Sequence, residues 1–179
     1  MIDTAIEFAL FDTAIGGCAI AWSPRGIAAV RLPEGSPAAS REGLTRRFPG
    51  AREAPPPPAA QRVIDGIVAG LDGEPCALDD VTLDMDGVAE FDRKVYEVAR
   101  GIPWGGTLSY GEIARRLGEP AAARDVGQAL GQNPFAIVVP CHRVVAADGT
   151  WGGFSARGGV ATKRRLLSIE SAQRSLIDD

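Results

Sequence analysis

Cys141 stands between Pro140 and His142, the only histidine in the chain. A cysteine attacks as the thiolate, and a free thiol with a pKa of about 8.5 is mostly protonated at neutral pH. An adjacent base that takes the proton turns it into a nucleophile. Successive side chains on an extended strand point to opposite faces, so this pair needs a turn or a bridging water to cooperate. Taken alone, a Cys-His pair is more often an inert, buried thiol beside a packed imidazole. The other cysteines, Cys18 and Cys76, read as small buried residues. Three cysteines make a poor disulfide framework and fit a reducing compartment. A structural zinc site usually takes four Cys or His ligands. Here the three Cys and one His are scattered without CxxC or HxxxH spacing, so no metal and no cofactor is expected.

The elements around this pair read as helical. Phe91, Val95, Val98 and Ile102 form one apolar stripe, closed by Gly101 where a C-terminal cap belongs. Ser109-Tyr110-Gly111-Glu112 is a capping box, opening a helix that carries Ile113, Ala114 and Leu117 and stops at Gly118. Pro120 suits the first position of the next helix, which runs to about Leu130 before Gly131 and Pro134. Two short helices joined by a tight glycine-containing turn are a helix-turn-helix pattern. The second is rich in small residues (Ala121, Ala122, Ala123, Gly127 and Ala129), which let its backbone come close either to another helix or to a DNA groove. Residues 135–139 read as a short apolar strand leading into Pro140, and 144–147 as another. A Gly-rich loop spans 152–159, and a last helix covers about 160–173, with 171–179 expected to be disordered.

The first half reads differently. Residues 6–12, 18–22 and 27–32 are short strands joined by turn residues at Gly16-Gly17 and 23–26. Helices at 37–48 and 59–71 cover this meander, linked by the stiff connector Pro55 to Pro58, and 81–85 reads as one more strand. No chemical constellation occurs here. The expected organisation is α/β (α+β): an N-terminal antiparallel-sheet α/β domain at 1–88, then a mainly helical, winged-helix-like domain with the helix-turn-helix at 89–179.

Charge separates the halves as well. Residues 1–90 hold 7 basic and 14 acidic side chains, whereas 91–170 hold 11 basic and 7 acidic. A basic C-terminal half fits a polyanionic partner, although a solvated basic face explains the same count. No run of about 18 apolar residues occurs, and the N-terminus lacks a basic start and apolar run, so a cytoplasmic protein with no membrane partner is expected.

Several of these segments together resemble the O6-alkylguanine-DNA alkyltransferase family, also called methylated-DNA–protein-cysteine methyltransferases. The motif Pro140-Cys141-His142-Arg143-Val144 stands intact. Thr107 to Ala114 resembles the family's tyrosine segment, Ala122-Ala123-Arg124 its arginine finger, and Asn133-Pro134 its approach to the motif. Gly152-Gly153-Phe154-Ser155 and Gly158 to Lys163 are similar to its substrate loop and final helix. The resemblance covers about 80 residues with clear motifs.

The resemblance implies a single-turnover repair reaction: an alkyl group moves from guanine O6 in DNA, with thymine O4 as a second candidate donor, onto Cys141. It implies that His142 deprotonates Cys141 through a water, that Glu170 orients His142, and that Asn133 holds the motif turn. Tyr110 would donate to the leaving guanine. Ser155 and the 152–155 backbone would bind O6, with Phe154 beside them, and the carbonyls of Cys141 and Val144 would accept from the exocyclic amine. Arg124 would fill the stack vacated by the flipped base. Ala123, Gly127 and Ala129 would lie on the helix facing the minor groove, with phosphate contacts supplying affinity. Arg143 would brace the turn, and the protein would be a monomer acting on double-stranded DNA. Asp125 follows Arg124 where the family often has a small residue. The loop Ser155 to Gly159 is about two residues longer than in some relatives, and Phe154 replaces a common tyrosine. Two alternatives stay open: a damage binder without transfer, which would lack the cysteine, and a winged-helix regulator, which would leave Tyr110, the motif and the 152–159 loop without a purpose.

Overall fold

A computed structural model describes residues 5–148 and 150–177, the side chains of 172–177 excepted. It divides into two compact units, one up to Met85 together with Pro134–Ala136, the other Asp86–Asn133 with Ile137 onward. Three residues that shortly precede the Pro140–Val144 motif thus fold with the first unit.

In the first unit, β1 (Glu7–Thr13), β2 (Gly16–Ser23) and β3 (Gly26–Arg31) form the expected antiparallel meander. The sheet order is β3-β2-β1-β4, where β4 (Arg52–Glu53) adds a short parallel strand that was not expected. Helix α1 (Pro37–Arg47) starts at Ser36, whose hydroxyl accepts from Ala39 N at 3.1 Å, with Pro37 in the first turn. Its Leu44 joins Phe8, Ala19, Ala21, Ala28 and Ala29 in one buried cluster. Helix α2 (Pro58–Leu71) buries Val63, Ile64, Ile67 and Leu71, the stripe that 3.6-residue periodicity requires. The strand expected at 81–85 is reduced to a single parallel bridge, Ile27 with Leu83. Asp84 is nearly buried there, accepting from Ser23 Oγ at 2.6 Å and pairing with Arg25 at 3.3 Å. Residues 135–139 are likewise no strand: only Phe135 bridges to Val30, and the chain turns at once.

The second unit opens with α3 (Glu90–Arg100), capped at Gly101 as expected. Strand β5 (Leu108–Ser109) leads into α4 (Tyr110–Arg116), and both capping-box bonds form: Glu112 N to Ser109 Oγ at 3.0 Å, Ser109 N to Glu112 Oε2 at 3.1 Å. After α4, Gly118 takes φ 76; Glu119 N reaches Ala114 O and Gly118 N reaches Arg115 O, which satisfies the orphaned carbonyls of the helix end. Helix α5 (Ala123–Gly131) begins three residues later than Pro120 suggested, because 119–122 forms a turn closed by Ala122 N to Glu119 O. Tyr96 of α3 donates to Ala129 O at 2.7 Å and so braces α5 near its C-terminal end. Strand β6 (Val144–Val145) pairs in parallel with β5, Leu108 opposite Val144. Helix α6 (Val160–Ile177) runs through most of the tail expected to be disordered; only residues 178–179 of it lie outside the described residues.

Candidate active site

The motif does not lie on a strand. Pro140 takes φ -79 and ψ 66, the geometry of an inverse γ-turn, and Cys141 N reaches back to Val139 O at 2.8 Å. Cys141–Arg143 then forms a 3-10 turn closed by Arg143 N to Pro140 O at 2.9 Å. The ring of Pro140 presets the first bend, and the turn removes the strand alternation that would have driven Cys141 and His142 to opposite faces. Upstream, Ile137 holds φ 71, an uncommon conformation for a β-branched residue, and costs about 1–3 kcal/mol. Asn133 fastens that bend by donating Nδ2 to Val139 O at 2.9 Å.

Cys141 is partly exposed and lines a cavity of about 730 Å³. The cavity walls come from three places. Tyr110 and Gly111 open α4; Ala123, Arg124, Gly127 and Leu130 belong to α5; and Gly153, Phe154 and Ser155 come from the loop before α6. Ala146 and Ala147 complete the rim. The parallel β5–β6 pairing sets Ser109 opposite Val145, so Tyr110, the residue after β5, stands beside the chain that leaves β6 at Ala146, and both line the cavity with Cys141.

His142 and Glu170 are buried behind the sulfur, 2% and 4% exposed. His142 Nε2 lies 2.7 Å from Glu170 Oε1. Arg143 donates to the same carboxylate from Nε at 3.0 and 3.1 Å and from Nη2 at 2.8 Å, and from Nη1 to Ile102 O at 2.8 Å. Its guanidinium also lies 5.8 Å from the Trp104 ring centroid. Arg143 thus locks α6 to the turn through Glu170.

Electrostatics follow from this packing. Burial pushes the Cys141 thiol up; the Asn133 side-chain hydrogen bond and the Lys163 charge pull it partly back. Burial lowers His142, against the pull of Glu170, so the imidazole is neutral at pH 7 and free to accept a proton. Burial pushes Glu170 up, but hydrogen bonds from His142 and Arg143 outweigh it and hold the carboxyl at about 2. Tyr110 is raised by burial and then by Cys141, which keeps its phenol protonated as a donor.

Of the expected site residues, Cys141, Tyr110, Ala123, Arg124, Gly127, Phe154 and Ser155 line the cavity. Two do not. Val144 is fully buried, because it is the β6 residue paired to Leu108. Ala129 is 2% exposed, since it sits on the face of α5 that Tyr96 braces. Lys163 had no individual role in the sequence reading. It is wholly buried; its Nζ donates to Val144 O at 2.5 Å and Gly153 O at 3.2 Å and lies 3.4 Å from the Tyr110 hydroxyl. The one signal for it was its place in the resemblance, five residues after Gly158. Among the described residues no group of three or more His, Cys, Asp or Glu gathers to hold a metal ion.

Residues 90–172 match the family described as 6-O-methylguanine DNA methyltransferase, DNA binding domain. The methylated-DNA–protein-cysteine methyltransferase of Mycolicibacterium paratuberculosis is 38% identical over 165 residues, 92% of each chain. The chain belongs to the methylated-DNA–protein-cysteine methyltransferase family. The crystal structure of Mycobacterium tuberculosis OGT in complex with DNA is similar at a TM-score of 0.74 and 36% identity, covering 93% of this chain and 94% of that one. The bifunctional transcriptional activator and DNA repair enzyme Ada of Escherichia coli is 38% identical over 93% of this chain, which spans about half of Ada's length, 46%. Lys163 is the part of the constellation at Cys141 that only the fold brings into view, and Arg143, expected to brace the turn, reaches Glu170 and Ile102 to do so.

Proposed function

We propose that this protein is a direct-reversal DNA repair enzyme that transfers a methyl or other alkyl group from O6-alkylguanine in double-stranded DNA to its own Cys141, once per molecule. The observation that carries the reading is a partly exposed cysteine on the wall of a cavity of about 730 Å³, with a phenol, an arginine and a Gly-rich loop around it. Guanine O6 is inaccessible to a thiolate inside a duplex, so the nucleotide must be flipped out, at a cost of a few kcal/mol. Arg124, exposed near the start of α5, fills the vacated stack, while small residues at Ala123 and Gly127 let the helix approach the minor groove.

In the reaction, neutral His142 takes the Cys141 proton through a bridging water, and the Glu170 carboxylate stabilises the imidazolium. Asn133 and Lys163 favour the thiolate. The sulfur attacks the sp3 carbon, a C–S bond forms, and the C–O6 bond breaks with its electron pair going to guanine. Tyr110 donates a proton to the departing base, and Ser155 with the 153–155 backbone holds O6. The thioether has no group nearby to cleave it. We place the protein, as a monomer, in the reducing cytoplasm; all three cysteines are free, and no described helix is long and apolar enough to cross a membrane.

The test is incubation with a duplex carrying one O6-methylguanine, followed by peptide mass spectrometry. A gain of one methylene on the Cys141 peptide, absent in Cys141→Ala, is expected. Lesion-specific binding with an unmodified Cys141 would leave a damage binder instead.

A further inference from the structure

Trp151 and Val160 are the only large apolar side chains left exposed among the described residues, and Trp151 is 40% accessible. Leaving an indole in water forfeits the free energy of burying it. The ring is not bare: the Arg164 guanidinium lies 5.5 Å from its centroid. Arg164 is itself exposed and takes no carboxylate partner among the described residues. An aromatic face and an unneutralised cation are therefore held together at the surface.

Their chain neighbours fix where. Gly152, at φ 69, packs so closely on Tyr110 that a Cβ there would lie 2.6 Å from the phenol oxygen. Lys163 Nζ lies 3.4 Å from the same oxygen. Trp151 and Arg164 are each one residue, about 3.8 Å of backbone, from those two. Neither lines the cavity. They flank the residues that pack on Tyr110, outside the cavity lining.

We propose that Trp151 and Arg164 clamp the DNA strand beside the flipped nucleotide, the indole stacking on a neighbouring base or deoxyribose and the guanidinium neutralising its phosphate. This rests on the repair reading above. A strand delivering its base to Cys141 passes close to the Tyr110 wall, and stacking serves an enzyme that meets lesions in any sequence, because every base has a π-face. The basic balance of residues 91–170 suits the same polyanion.

The test titrates a duplex with one O6-methylguanine into the full chain in the Cys141→Ala background, which holds the complex unreacted, and follows indole emission. Transfer rates are measured with Cys141 intact, on the duplex and on free O6-methylguanine. Trp151→Ala weakens duplex binding about tenfold and removes most of the quenching, and Trp151→Phe restores most of the affinity. Arg164→Gln lowers the slope of log affinity against log salt by about one. All three react with the free base within about twofold of the parent. Duplex affinity unchanged in Trp151→Ala overturns the clamp and leaves the repair reading intact. A matching loss on the free base also overturns it, since Trp151 would then only prop the loop. Absence of Cys141 labelling in the wild type defeats the repair reading, while the affinities still decide whether the pair holds DNA.

Discussion

His142 and Glu170 face each other across 2.7 Å with both side chains almost wholly shielded from water. The pair makes stability acid-sensitive. Glu170 is held at about 2 in the fold against 4.5 unfolded, so its contribution is complete above pH about 4.5 and lost as pH falls towards 2. That interval carries on the order of 3 kcal/mol. His142 is also lowered, from 6.5, so acid costs stability from that pH downward. Denaturant midpoints measured across pH should decline below about 6.5 and more steeply below about 4.5. Glu170→Gln should be less stable at pH 7 and lack the lower step; a variant titrating like the wild type would mean that the carboxylate is not the group responsible.

Lys163 replaced by Met should raise the Cys141 thiol further and slow transfer by about tenfold or more. The ammonium charge lowers the thiol, and it also satisfies two carbonyls, at Val144 and Gly153. Each carbonyl left without its donor costs about 1–3 kcal/mol. The pH profile of iodoacetamide labelling at Cys141 separates the two effects. Lys163→Arg keeps the charge, so its thiol profile should move less than that of Lys163→Met; identical profiles would remove the electrostatic role.

Gly152→Ala should impair transfer while Gly153→Ala should not. A Cβ at 152 meets the Tyr110 oxygen at 2.6 Å and Cε2 at 2.9 Å, and the backbone there has φ 69. Either the phenol or the loop must move, and Ala in that conformation costs roughly 1–2 kcal/mol. At 153 a Cβ meets nothing within 4 Å. Rates on O6-methylguanine duplex should fall about tenfold for the first and stay near wild type for the second. Equal rates would show that Tyr110 tolerates displacement.

What the sequence disclosed was local. Ser109 and Glu112 announce a helix start because both of their hydrogen bonds close within three residues. The meander was readable from alternation and turn residues, and the motif through Val144 from its intact order. Lys163 was not, since a lysine opening a helix looks solvated; its burial depends on carbonyls from Val144 and Gly153, 19 and 10 residues away. Arg143 was expected to brace the turn, but its partners Glu170 and Ile102, 27 and 41 residues off, were not readable. The apolar run 135–139 promised a strand, but Ile137 turns the chain, and a positive φ at a β-branched residue leaves no trace in composition. Pro120 pointed to a helix start that the Ala122–Glu119 turn delays to Ala123.

Arg124→Ala should separate base flipping from chemistry. Arg124 is exposed near the start of α5 and borders the cavity without approaching His142 or Glu170 closely enough for a bond. Its proposed work is to occupy the stack that the damaged nucleotide leaves, which offsets part of the few kcal/mol that extrusion costs. A free base needs no extrusion. Transfer from duplex should therefore slow by about tenfold or more, and transfer from free O6-methylguanine should change little. A lesion opposite a mismatched base, already poorly stacked, should lose less than one in a sound pair. Equal slowing on duplex and free base would relocate Arg124 to the wall of the reacting site and remove its part in flipping.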